Sequence, residues 1–144
     1  MVGRSRRFKF ADTAQQVVGG FLLAGPFVVT EEVWTLAGSM AWYQAVATVV
    51  IVFGIGYGAL YKADDERDPD REAEVVGVPL RFVSLVSVSY LSVLILALAF
   101  DAPETFLAET YGAGTFEQAV VTAKAITVGA VFSVVGAATA DSVF

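Results

Sequence analysis

The sequence predicts an all-α fold, an integral membrane four-helix bundle with the N-terminus and C-terminus cytoplasmic, and three observations predict it. The composition is 56% hydrophobic with a mean hydropathy of +0.67, above the roughly 45–50% apolar content of soluble domains. Four apolar stretches approach the ~20 residues that a helix needs to cross ~30 Å of hydrocarbon. The basic residues gather before the first stretch and between the second and third, and by the positive-inside rule both termini then face the cytoplasm. Too little chain remains for a separate soluble unit, so 1–144 reads as a single membrane domain.

The first span covers about 14–36. Arg4, Arg6, Arg7 and Lys9 precede it like the n-region of a signal peptide, but the apolar run is long and reaches Glu31 and Glu32 without a small-residue cleavage site. A retained anchor is expected. Pro26 sits mid-span, where it lacks a backbone donor and its ring clashes with the carbonyl four residues earlier, so a kink is expected. The second span, about 40–61, carries Trp42 and Tyr43 at one end and Tyr57 and Tyr61 at the other, the placement of interfacial aromatic belts. Residues 62–78 are charge-dense, contain Pro69 and show no apolar period, which marks a solvated cytoplasmic connector. The third span, about 79–100, starts at Pro79, whose missing donor is harmless in a first helical turn. Asp101 to Gly114, with Pro103, Gly112 and Gly114, reads as an external loop or short surface helix. The fourth span, about 116–140, contains Lys124 and ends at Asp141.

Composition also excludes function classes. Cysteine and histidine are both absent, so the usual zinc, haem and copper sites cannot be built and the commonest general base near neutral pH is missing. No enzyme, no cofactor and no metal site are expected. A net charge of −6 and a pI near 4.5 argue against a nucleic-acid partner, because neutralising phosphates needs clustered Lys and Arg. The expected partners are the lipid bilayer, a homo-oligomer and a small ion.

Small residues recur at four-residue intervals in Gln16-Gly20-Ala24, Gly54-Gly58 and Ala125-Gly129-Ser133-Ala137. Such rows let helices approach closely, either within the chain or between copies of it. Ionisable groups carry the sharper signal, since a charge at helix-centre depth costs about 2.5–3.5 kcal/mol on insertion scales. Lys124 lies roughly 12 Å below the start of the fourth span at ~1.5 Å per residue, and Glu31 and Glu32 lie near the same surface. Glu32 and Lys124 are therefore read as a buried ion pair, as a lysine snorkelling to the outer interface, or as a site on an ion or proton path. Gln44 and Gln118 lie at a similar level, and Gln15, Gln16, Arg81 and Asp141 form a second polar group at the opposite, inner level. Arg81 reads first as a positive-inside anchor. Ser84, Ser87, Ser89 and Ser92 spread around the third helix and define no pore by themselves.

The segment PFVVTEEVW places a proline, a threonine four residues on, then a glutamate and a tryptophan at two-residue steps: Pro26, Thr30, Glu32 and Trp34. Here the sequence resembles a family of archaeal and bacterial integral membrane proteins catalogued only as a domain of unknown function. Gly20 and Gly25 fall in the small-residue run that precedes the motif. The ending VGAVFSVVGAATADSVF is similar to the family's final helix, and the whole chain resembles its shorter members from salt-loving archaea. The resemblance implies a membrane fold and no particular activity. From the residues themselves, the expected function is a small oligomeric channel or transporter for ions or protons, with Glu32 as its charged site, Lys124 as partner, and Pro26 and Thr30 shaping a broken helix. The alternative is a non-transporting scaffold or sensor subunit that oligomerises through small-residue helix faces.

Overall fold

The computed structural model describes residues 10–62, 74–75 and 78–143. Arg4 to Lys9 and most of the charged connector lie outside the described residues. Along the chain run α1 (Phe10–Val28), α2 (Glu31–Ser39), α3 (Trp42–Tyr57) with a π-helical turn (Gly58–Lys62), α4 (Leu80–Ala99), α5 (Ala102–Tyr111) and α6 (Phe116–Val143). A two-residue hairpin, β1 (Glu74–Val75) with β2 (Val78–Pro79), leads into α4.

Three helical segments are long and apolar enough to cross a membrane: Trp42–Tyr61, Leu80–Ala99 and Phe116–Ser142, with mean hydropathies of 1.7, 2.3 and 1.8. Helices α1 and α2 reach that standard only as a pair, and the pair is bent by 81°. The first apolar stretch is therefore two helices, where the sequence suggests one kinked span. The bend also falls later than expected, because α1 continues through Pro26 to Val28 and stops there.

The residues of the Pro26 to Trp34 motif account for the bend. Proline at 26 has no N–H for the preceding turn, which weakens the helix locally. The Thr30 hydroxyl then donates to the Pro26 carbonyl at 2.7 Å, and the Trp34 indole N–H donates to the Val28 carbonyl at 2.9 Å. Two of the carbonyls that a helix end leaves unsatisfied are thus taken by side chains from beyond the break. Trp34 itself is buried and stacks on Phe106 of α5 with ring centroids 6.1 Å apart, so α2 and α5 lie together as a cap. Asp101, with φ 58°, and Gly112, with φ 89°, turn the chain into and out of α5, and left-handed backbone of this kind favours glycine and tolerates aspartate.

Helix α6 is the hub, touching α1, α2, α3, α4 and α5, and its interface with α1 is the most extensive in the molecule. That interface closes at Gly19 and Gly136, where a Cβ on either glycine would strike the other's backbone carbonyl. The starts of α1 and α4 and the finish of α6 meet at one end, called here the terminal end, since Gln16 and Arg81 both reach Asp141. The α2 and α5 cap covers the other end. The core divides accordingly: Ala24, Val28, Trp34, Ala97 and Ala125 pack near the cap, while Val52, Leu60, Leu85, Val134 and Ala137 pack near the terminal end.

Because backbone faces backbone at Gly19 and Gly136, neither side can yield by a rotamer change. Gly136→Val is expected to lose about 2–3 kcal/mol of stability through overpacking. Thermal unfolding of the purified protein in detergent measures this, and an unchanged midpoint would refute the close-contact assignment.

Candidate functional site

The terminal end holds a buried ionic cluster built from three helices. Arg81, the second residue of α4, donates from Nη1 to Asp141 Oδ1 at 2.8 Å and from Nη2 to Asp12 Oδ2 at 3.0 Å. The side chains of Arg81 and Asp141 are 2% and 0% exposed, and that of Asp12 is 19% exposed. Arg81 sits at the N-terminus of its helix and Asp141 in the last turns of its own. Each opposes its own helix dipole, because cations favour C-termini and anions N-termini. Antiparallel packing of α4 against α6 brings the two misplaced charges together, so each neutralises the other's unfavourable end.

Gln16 extends the cluster. Its Nε2 donates to Asp141 Oδ2 at 3.1 Å and faces the Arg81 carbonyl at 3.5 Å, while its Oε1 accepts from the Ser84 hydroxyl at 2.6 Å. Asp141 only accepts, which fixes the amide this way round. Ser84 has one proton and gives it to Gln16, so in the 3.0 Å contact with Thr13 the threonine is the donor. Gln16 is fully buried. Fork pairing and an amide bridge satisfy the charged groups in a way that a lone buried ion would not.

The same seam between α1, α4 and α6 continues deeper, one turn on along α1 and about two along α4 and α6. The Ser133 hydroxyl donates to the Gly20 carbonyl at 3.0 Å. Ser92, also buried, points its hydroxyl at Gly20 and has no hydrogen-bond partner. Closer to the cap Ala24, Val28, Val93, Ala97 and Ala125 pack together, while α4 and α6 also bury the Tyr90 hydroxyl and Thr127.

Of the inner polar residues expected from the sequence, the structure joins Gln16, Arg81 and Asp141, whereas Gln15 is half-buried and takes no part. Arg81 is the centre of the cluster. Asp12, Thr13 and Ser84 join it without having been expected there. Their helical spacing from Gln16 and Arg81 is the signal that sequence reading could have used, because residues three or four apart share a face.

At the cap end the expected vestibule does not form. Lys124 does not meet Glu32; its ammonium donates to the Met40 carbonyl at 2.6 Å, the C-cap of α2, where the helix dipole favours a cation. Glu31 and Glu32 are exposed in the first turn of α2, the favourable end for anions. Gln44 caps α3 by accepting from Ala41 N–H at 2.7 Å. Gln118 accepts from Gly114 N–H at 2.8 Å and donates to the Pro103 carbonyl at 3.0 Å, which ties α5 to α6. Thr30 is engaged with Pro26. Each of these groups is used to finish a helix end, which leaves the two glutamates beside a shallow surface cavity with Thr35, Leu36 and Ser39. Among the described residues, no cluster of three or more metal-ligating side chains is present.

Helices of this length and apolarity, packed around buried polar groups, define an all-α integral membrane protein. The chain belongs to the family described as "Putative integral membrane protein (DUF2391)", whose model matches residues 3–140. No curated protein and no solved structure matches it.

Removing one partner from a buried ion pair typically costs about 3–5 kcal/mol, whereas replacing both by apolar groups of similar volume is often neutral. Arg81→Met is therefore expected to destabilise the protein strongly, and Arg81→Met combined with Asp141→Leu to recover most of the loss. Chemical unfolding of both variants measures this, and equal losses would show that the pair is not coupled.

Proposed function

We propose that the protein is a small oligomeric transporter of ions or protons whose charged site is the buried Asp12, Arg81 and Asp141 cluster. The observation that carries this reading is the burial of the Arg81–Asp141 ion pair, joined by the partly buried Asp12 and by Gln16, in a membrane protein where apolar packing is often as stable. Ionisable groups buried in membrane bundles characteristically mark ion pathways and proton relays. Glu31 and Glu32 then form an acidic rim at the cap end that raises the local concentration of cations.

In the proposed topology α1 is a fourth crossing, and α2, at 81° to it, lies along the membrane surface. Both termini then face the cytoplasm, in keeping with the basic residues before α1 and around the connector. Oligomerisation is supported by α3, the segment with only 17% of its span buried. Gly54 and Gly58 lie one turn apart on it, and a Cβ added at either would meet nothing within 4 Å, whereas Gly19, Gly20, Gly56, Gly129 and Gly136 each face a close neighbour. A paired glycine row unused within the chain suits close approach of a second copy.

The test is flux of K⁺, Na⁺, Cl⁻ and H⁺ in liposomes containing the purified protein beside Asp141→Asn and Glu32→Gln. A selective flux is expected, reduced about tenfold or more by Asp141→Asn, equivalent to ~1.4 kcal/mol on the barrier, and much less by Glu32→Gln. Absence of flux in well-folded, inserted protein would favour the alternative, a scaffold or sensor subunit. Gly54→Leu is expected to lower the oligomeric fraction seen by light scattering while leaving thermal stability unchanged, and an unaltered oligomer would exclude the α3 row as its interface.

A further inference from the structure

We infer that the seam between α1, α4 and α6 admits water from the terminal end as far as Ser92. This inference stands apart from the transport reading. Three helices contribute to the seam: Asp12, Gln16 and Gly20 on α1; Arg81, Ser84 and Ser92 on α4; Asp141 and Ser133 on α6. Hydrogen bonds connect the outermost members without a break, from Asp12 through Arg81, Asp141 and Gln16 to Ser84 and Thr13. The next level, four residues on from Gln16 along α1 and eight from Ser84 and Asp141 along α4 and α6, holds the Gly20 carbonyl, the Ser133 hydroxyl and the Ser92 hydroxyl.

Ser92 supplies the independent observation. It is 1% exposed, its hydroxyl has no partner, and it is aimed at Gly20 of α1, which has no side chain. A buried hydroxyl left unsatisfied is costly, because it has given up its bonds to water and gained none in exchange. A serine in a helix ordinarily avoids that cost by bonding the carbonyl four residues back, as Ser89 does here to Leu85 at 2.7 Å. Ser92 does not, although the same option is open to it. Two hydroxyls and a carbonyl provide the two to four polar partners that a buried water needs.

The chemistry of this level also selects what can enter. Between Arg81 or Asp141 and Lys124 no charged side chain occurs on α1, α4 or α6. A dehydrated metal cation at Ser92 would have no countercharge and few oxygens, against the six or more that hard cations such as calcium take. A neutral water fits. Toward the cap the packed side chains of Ala24, Val28, Val93, Ala97 and Ala125 offer water no partner.

The absence of native cysteine makes the test direct. Single variants Ser92→Cys, Ser133→Cys and Ala97→Cys are placed in lipid nanodiscs and treated with a small, charged, membrane-impermeant methanethiosulfonate. Ser92→Cys and Ser133→Cys are expected to react roughly tenfold faster than Ala97→Cys or more. Adding Gly20→Ala should slow Ser92→Cys, because the new methyl would lie 2.9 Å from Ser92 Oγ and 3.2 Å from Ser133 Oγ. Reaction at both serine positions no faster than at Ala97, in monodisperse protein, overturns the hydrated seam; Ser133→Cys alone decides if Ser92→Cys does not fold. Labelling without any flux in liposomes would leave the seam standing and remove the transport reading. Flux without labelling would do the reverse.

Discussion

Everything at the terminal end depends on the approach of α1 to α6 at Gly19 and Gly136. With backbone against backbone at that level, residues to either side come within hydrogen-bonding reach: Gln16 to Asp141 and Gly20 to Ser133. Larger side chains would hold the helices at the usual ~8–10 Å separation, and these bonds would be replaced by apolar packing. Small residues are thus the condition for the polar seam. The general rule that small residues drive helix association in membranes has a second consequence here, since it is what lets short polar groups on opposite helices touch.

The ionic cluster is the feature that packing alone does not explain. Burying ions requires giving up their hydration, and a hydrophobic replacement of similar shape would commonly be as stable. The arrangement lowers that cost in three ways: a fork of two charge-assisted bonds from one guanidinium, compensation of two opposed helix dipoles, and an amide that fills the remaining carboxylate oxygen. Such compensation accounts for how the cluster persists. Why it exists at all is the question that the transport reading answers.

At the cap end the same physical rules produce the opposite result. Polar side chains there meet helix ends, and helix ends hold up to four unsatisfied groups each. Lys124, Gln44, Thr30 and Trp34 are each claimed by such a group, and Gln118 ties α5 to α6. Depth counting along the sequence puts Glu32 and Lys124 at similar levels, yet depth says nothing of direction around a helix or of a bend. Once α2 turns 81° away, its first-turn glutamates face outward and its C-terminal carbonyl is what Lys124 finds.

By itself the sequence determined the environment and the periodic elements. Hydropathy, aromatic belts and the loop residues mark apolar helices suited to a bilayer, and the Pro26, Thr30, Glu32 and Trp34 pattern marks the family, because these signals are local and read along one chain. Counting along helices also put Gln16, Arg81 and Asp141 at one level. Only the tertiary structure decided that they bond, that Asp12 and Ser84 join them, that Ser92 is buried without a partner, and that the first apolar stretch breaks after Val28. The physical reason is that a hydrogen bond is set by the distance and rotation between two helices, and these follow from where glycines permit contact on both partners at once, a property that belongs to no single segment.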